Sequence, residues 1–120
     1  MTGTDAEKTI IAVPVANGRL CSHFGHCQQF AFYYVDVSQR RIEDSRRLDP
    51  PPHEPGLFPR WLSEQRTQVV IAGGIGHRAR SAFEDHGIEA ITGAPSGDPH
   101  EIVQAYLDGH LVTEQNPCDH

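Results

Sequence analysis

Two cysteines and two histidines crowd the seven residues Cys21-Ser22-His23-Phe24-Gly25-His26-Cys27. Thiolate and imidazole are soft-to-borderline donors that hold transition metals and metal–sulfur clusters. Gly25 lets the backbone turn sharply or approach a bulky ligand. Cys21 and Cys27 stand six apart, which is not the close C-x-x-C pair of a zinc site. The spacing therefore leaves two readings open: a metal or cluster site, or a loop whose cysteines are buried as small hydrophobes. A second soft pair, Cys118 and His120, closes the chain in Asn116-Pro117-Cys118-Asp119-His120. A flexible tail would let both reach one metal; the alternative is a disordered terminus. Hard oxygen donors, which suit magnesium and calcium, are few in this set.

A third feature is Gly74-Ile75-Gly76-His77-Arg78-Ala79, which formally matches G-x-G-x-x-A between a predicted strand and a predicted helix. Helix N-termini attract anions through free N–H groups and the helix dipole. A dinucleotide site would also need an opening βαβ unit and an acid about 20 residues further on. Here the motif lies mid-chain, and the next strand ends in Ile91-Thr92-Gly93 without an acid. Two readings fit better: a tight turn packing helix against strand, or an anion site helped by Arg78 that suits a negatively charged cluster. A cysteine nucleophile would need a base and an orienting group, and no protease or transferase signature supplies them. Metal-dependent nuclease chemistry would want carboxylates on the central strand, and Thr9 to Val15 has none.

The elements that must position these residues follow from periodicity. Thr9 to Val15 is a nearly continuous apolar run, a strand buried on both faces, with Pro14 expected at its end. Asn17-Gly18 is a turn signal leading into the Cys/His stretch. Phe30 to Val37 is a second strand. Arg40 to Leu48 carries apolar residues sparsely, so it is expected as an outer, solvated strand completing a hairpin. Asp49 to Gly56 is a proline-stiffened loop. Leu57, Phe58, Trp61 and Leu62 have helical spacing. Gln68 to Ala72 is a strand, and a helix follows with Ile75, Ala79, Ala82 and Phe83 inward until Gly87 stops it. Ile88 to Thr92 is a short final strand. Asp98-Pro99-His100-Glu101 starts a helix with a cap and proline at the first position; Ile102, Val103, Tyr106 and Leu107 form its buried face. Among the remaining histidines, His77, His86, His100 and His110 are expected to be solvated or capping. The order β-β-β-α-β-α-β-α with right-handed crossovers gives a mixed five-stranded sheet with helices on its faces.

The chain has 120 residues and net charge −6 with scattered basic residues, enough for one domain and unlike a phosphate-binding surface, which argues against nucleic acid. No apolar run approaches membrane-spanning length. Three cysteines without an export signal fit a reducing cytoplasm better than a disulfide framework. Residues 1–8 are expected as a disordered tail, 9–112 as the single domain and 113–120 as a Cys/His tail.

Ile11-Ala12-Val13-Pro14, then Ser22-His23-Phe24-Gly25-His26-Cys27 with Phe30 beyond, then Ala72-Gly73-Gly74-Ile75-Gly76-His77-Arg78-Ala79, then Gly87-Ile88-Glu89 resemble the dinitrogenase iron–molybdenum cofactor biosynthesis family. That is the NifX-like group, found also as the carboxy-terminal domain of NifB and as small stand-alone members, orange proteins among them. The resemblance spans about residues 9 to 112, and the Asn-x-Cys-x-His ending is similar to that of some stand-alone members. It implies a ribonuclease-H-like α/β/α fold without the nuclease carboxylates. It also implies binding or carrying of a metal–sulfur cluster: iron–sulfur, an iron–molybdenum precursor, or a molybdenum–copper sulfide.

The family motif falls on His23, Phe24 and Gly25. With Gly74, Gly76 and Arg78 these are the expected cluster-binding residues. His23, then His26, Cys27, Cys118 and His120, are the expected metal donors. The expected role is non-catalytic, with cluster donor and acceptor proteins as partners and no membrane or nucleic acid. The alternatives are an interaction module whose Cys/His set holds zinc or nothing, and an anion- or nucleotide-binding enzyme built on the glycine turn.

Overall fold

The computed structural model describes residues 8–21, 27–50, 57–111 and 113. Six strands and three helices are found among them: β1 (Lys8–Ala16), β2 (Arg19–Leu20), β3 (Gln29–Asp36), β4 (Arg41–Leu48), α1 (Leu57–Glu64), β5 (Val69–Ile71), α2 (His77–Asp85), β6 (Glu89–Ile91) and α3 (Pro99–Leu107). The sheet runs β4-β3-β1-β5-β6, with β2 paired to β1 off this path. β1 is antiparallel to β3 and parallel to β5. β5 is in turn parallel to β6, and β3 antiparallel to β4. The two most apolar strands are thus central neighbours and the sparsely apolar β4 is an edge, as their composition requires.

Two details differ from the sequence reading. The sheet has six strands, not five: Asn17 (φ 56°) and Gly18 (φ 77°) are both left-handed, which is the geometry of a two-residue hairpin turn. They send the chain back as β2, with Val15 opposite Leu20 and Ala16 opposite Arg19. Pro14 is also not the end of β1, which continues to Ala16. The proline is tolerated there because β5 pairs with β1 only at Ile11 and Ala12. On that edge Pro14 faces Cys21, just past the two-residue pairing with β2, so the donor it lacks falls at the end of both ladders.

Successive residues of a strand point to opposite faces, and the core divides accordingly. Ile11, Val13, Val15, Val69 and Ile71 face α3, which covers them with Ile102, Val103 and Leu107. Ala12, Phe30, Phe32, Val70 and Ala72 face α1 and α2, which supply Phe58, Leu62 and Phe83. This is a three-layer α/β/α arrangement. α3 is capped as its sequence predicts, Asp98 accepting from the His100 N–H at 3.0 Å with Pro99 in the first turn.

Candidate functional site

β1 and β5 are parallel and adjacent, so the segments that leave their carboxyl ends start side by side. In open α/β sheets that is where ligands bind. β3 occupies one edge of β1 as far as Val15, which puts β2 on the other edge, past the end of β5. The chain leaves β2 through Cys21, whose N–H donates to the Pro14 carbonyl at 2.8 Å. It returns through Gln28, whose N–H donates to the Val15 carbonyl at 2.8 Å, while the Asn17 N–H donates to Gln28 Oε1 at 2.9 Å. The Cys/His stretch is therefore tied at both flanks to consecutive carbonyls at the carboxyl end of β1.

Cys21 is buried and Cys27 half-buried. Cys27 packs against the cluster that holds Ala72 and Ile75, so it shares an end of the sheet with the glycine turn. Burial pushes its thiol up to about 12, with further upward pressure from Cys21 and a smaller lowering from a backbone hydrogen bond. The Cys27 thiol is thus held further toward its protonated form than an ordinary cysteine. A metal that displaces the proton would find a soft donor with an apolar wall behind it.

The glycine turn is the second wall. Gly73, Gly74 and Ile75 are buried, and Gly76 is the N-cap of α2 with no side-chain capping bond. Its backbone is extended (φ −67°, ψ 161°), and a Cβ there would meet nothing within 4 Å. Neither backbone strain nor packing among the described residues requires glycine at Gly76; the missing side chain leaves open space in front of the first N–H groups of α2. Arg78 is exposed two residues further on, in the first turn of α2. The soft thiols, the open glycine front and the cation suit an anionic, sulfide-rich group better than a hard cation.

A third wall, the loop from Gly93 to Gly97, carries no chemical motif in the sequence. It leaves the carboxyl end of β6, the next parallel strand. The Gly93 N–H donates to the Gly73 carbonyl at 2.8 Å and the Ala94 N–H to the Ala72 carbonyl at 3.2 Å. At its far end the Gly97 carbonyl accepts from the Leu20 N–H at 2.8 Å, so it links the glycine turn to the strand that delivers Cys21. The available signal was topological, since every parallel strand contributes its outgoing loop to this end. On its outer side lies a cavity of about 310 Å³ with Ile102, Ala105 and Leu111 in its lining and Asp98, Glu101 and His110 among its polar groups.

His23, Phe24, Gly25 and His26 lie outside the described residues, as do Cys118 and His120. Among the described residues no group of three or more His, Cys, Asp or Glu side chains is placed to hold a metal ion. His77, His86, His100 and His110 are all exposed. The His86 Nδ1 lies 2.8 Å from the Ala82 carbonyl near the end of α2, and the His100 ring sits 6.1 Å from that of Tyr33. No described helix is long and apolar enough to cross a membrane.

The chain matches the model of the family described as dinitrogenase iron-molybdenum cofactor over residues 7–109. It is 28% identical over 106 residues to an uncharacterised protein of Methanocaldococcus jannaschii, the match covering 84% of this chain and 87% of that protein. Its fold is similar to the crystal structure of PH0822, with a TM-score of 0.81 at 24% identity, covering 89% of this chain and 96% of the other. It is also similar to the apo form of the orange protein from Desulfovibrio gigas, with a TM-score of 0.67 at 24% identity over 91% and 95% of the two chains.

Proposed function

Because the chain belongs to the dinitrogenase iron–molybdenum cofactor family, we propose that it binds and carries a metal–sulfur cluster or a cluster precursor, without catalysing a reaction. The cargo is an iron–sulfur, iron–molybdenum-precursor or molybdenum–copper sulfide species, taken from a donor protein and passed to an acceptor. The observation that carries this reading is the convergence at one end of the sheet. The flanks of the Cys/His stretch are tied to Pro14 and Val15 at the carboxyl end of β1, and the loop from Gly93 to Gly97 bonds both to Gly73, beside the open front at Gly76, and to Leu20, beside Cys21.

In this reading Cys27 supplies a thiolate when the metal arrives. His23 and His26, on the stretch between the tied flanks, are donors or line the site together with Phe24 and Gly25. Gly74 and Gly76 let the cluster approach the backbone, and Arg78 balances its negative charge. Cys118 and His120 are further donors in this reading. Bridging sulfides satisfy most metal valences, so few protein bonds are needed.

Protein prepared anaerobically, analysed for metal and by visible absorption, tests the proposal. An iron–sulfur or molybdenum–sulfur chromophore is expected, whereas zinc is spectroscopically silent. His23→Ala and Cys118→Ser are each expected to lower cluster uptake with little change in melting temperature. If both take up cluster like the parent, the site lies elsewhere. If stripping metal unfolds the parent, the chain is a zinc-stabilised module instead.

A further inference from the structure

The edge strand β4 has a charge order that reads as its own complement. Arg41-Ile42-Glu43-Asp44-Ser45-Arg46-Arg47-Leu48-Asp49 is antisymmetric about Ser45. One step out stand Asp44 and Arg46, two steps Glu43 and Arg47, three steps Ile42 and Leu48, four steps Arg41 and Asp49. Two copies of this strand laid antiparallel on a two-fold axis through Ser45 therefore set acid against base and base against acid on either side of the axis; Ile42 and Leu48 do not meet, since Ile42 packs on the α3 face and Leu48 on the α1 and α2 face. A two-fold contact demands this self-complementarity, because residue i meets j wherever j meets i.

The fold makes the strand available for such pairing. β4 is the outermost strand, paired with β3 on one side and with no described strand on the other. Six of its eight residues are exposed. The Ser45 N–H donates to the neighbouring Asp44 carboxylate at 2.8 Å, so it is not engaged with β3 and belongs to the outer edge. Tyr33 stands opposite Ser45, Tyr34 opposite Asp44 and Phe32 opposite Arg46. Asp44 and Arg46 consequently share the sheet face on which the Arg46 guanidinium lies 5.8 Å from the Tyr34 ring centre. A two-fold axis perpendicular to the sheet keeps like faces together, so Asp44 of one copy meets Arg46 of the other on that face, twice. The register irregularity between Tyr34 and Val35 displaces Glu43, whose carboxylate lies 3.7 Å from Arg41. The two Asp44–Arg46 pairs therefore carry the register more than the Glu43–Arg47 pairs do.

We infer that β4 is a self-recognition edge: two copies of this chain pair antiparallel through β4 about Ser45, joining their sheets into one. Charged edge strands ordinarily keep sheets from adding to one another. Here the charges reject foreign and out-of-register strands and accept this one. Closure costs the Ser45 N–H its Asp44 partner and gives it the Ser45 carbonyl of the other copy, while Asp44 turns to Arg46. The association is accordingly weak, concentration-dependent and sensitive to salt.

Sedimentation velocity of the full chain from micromolar to millimolar concentration, at low and high salt, reads the monomer–dimer balance. Asp44→Arg sets Arg against Arg in both pairs and Arg46→Asp sets Asp against Asp, and each should weaken dimerisation roughly tenfold or more. The double variant restores opposite charges and should regain the parent's dimer. An equimolar mixture of the two single variants should form a mixed dimer, since all four facing groups are then complementary. Ser45→Pro removes the outward donor and should leave a monomer whose melting temperature stays near that of the parent. Circular dichroism confirms folding of every variant. A parent that stays monomeric at millimolar concentration in low salt overturns the inference. So does a dimer indifferent to the single charge reversals, or a mixture that fails to pair when both components are folded.

Discussion

On one face of the sheet, Ile11, Val13, Val15, Val69 and Ile71 are covered by α3 with Ile102, Val103 and Leu107, a mainly aliphatic contact that Tyr33 and Tyr106 join. On the other, α1 and α2 press an aromatic set onto Ala12, Val70 and Ala72. Phe30 meets Phe58 edge-on with ring centres 5.5 Å apart, and Trp61 lies 5.5 Å from Phe30 and 5.8 Å from Phe32. Edge-to-face rings add to burial a geometric preference that simple aliphatic contact lacks. Ile75 is fully buried in this aromatic face and the partly buried Cys27 packs against it, so the candidate site hangs on the face with the more specific packing. The lesson concerns metal dependence. Both faces close with side chains alone, and the thiols lie at the margin of a finished core, unlike a domain whose folding energy is the metal's.

The comparison breaks first at Phe83, which is fully buried under α2. Phe83→Ala should cost about 3–5 kcal/mol, measured by urea unfolding. It should also loosen the glycine turn at the start of the same helix, lowering cluster uptake in the folded fraction. On the other face Ile102→Ala, at a nearly buried position, should cost about 2–3 kcal/mol and leave uptake by the folded protein unchanged. Equal loss of uptake in both variants would show that the two faces do not differ in their relation to the site.

Asp98→Ala sharpens the contrast at smaller scale. It removes the cap of α3, whose carboxylate accepts from the His100 N–H. The expected loss is about 1 kcal/mol, again without effect on uptake. Cys27→Ser reverses that pattern. The side chain is half-buried and its thiol makes no structural cross-link among the described residues, so the change in unfolding free energy should stay within about 1 kcal/mol while uptake falls. A Cys27→Ser protein that melts far below the parent would make the thiol a core element first and a donor second.

Much of this was legible because the informative signals are local. The continuous run Thr9 to Val15, the sparse Arg40 to Leu48 and the cap Asp98-Pro99 each specify their environment from a few residues. What was not legible depended on neighbours distant in sequence. Pro14 marks a strand end only when the next strand runs alongside it, and here β5 has already left. β2 is two residues long and exists because Asn17 and Gly18 adopt a hairpin turn against Val15; no periodicity can show in two residues. The Gly93 to Gly97 loop became a wall of the site through its bonds to Gly73, Ala72 and Leu20, partners 20 to 77 positions away. The glycine turn was visible as a motif, yet the reason Gly76 suits a ligand, open space where a Cβ would stand, is a property of the packed molecule.

The smallest expected effect separates the faces by alkaline pH. Tyr33 is 4% exposed on the aliphatic face. Burial is the main cause that raises its phenol above the ordinary value, Asp98 adds to the rise, and Arg47 opposes it. Tyr106, packed against the same cluster, is raised chiefly by burial and further by Glu89. In the unfolded chain these phenols lose their protons near pH 10, before the folded state does. Between that pH and the higher folded values the unfolded state binds fewer protons, so stability falls as pH rises. The contribution is complete below about pH 10 and disappears as the folded phenols ionise. Tyr33→Phe removes one of them without removing the ring. Urea midpoints of parent and variant should run parallel from pH 7 to 9 and converge or cross above pH 10, the parent falling more steeply. A spectrophotometric titration of the native parent should show a phenol ionising late that is missing in the variant. Parallel midpoints throughout would mean that Tyr33 reaches water past α3, and that the aliphatic face is less completely closed than its packing indicates.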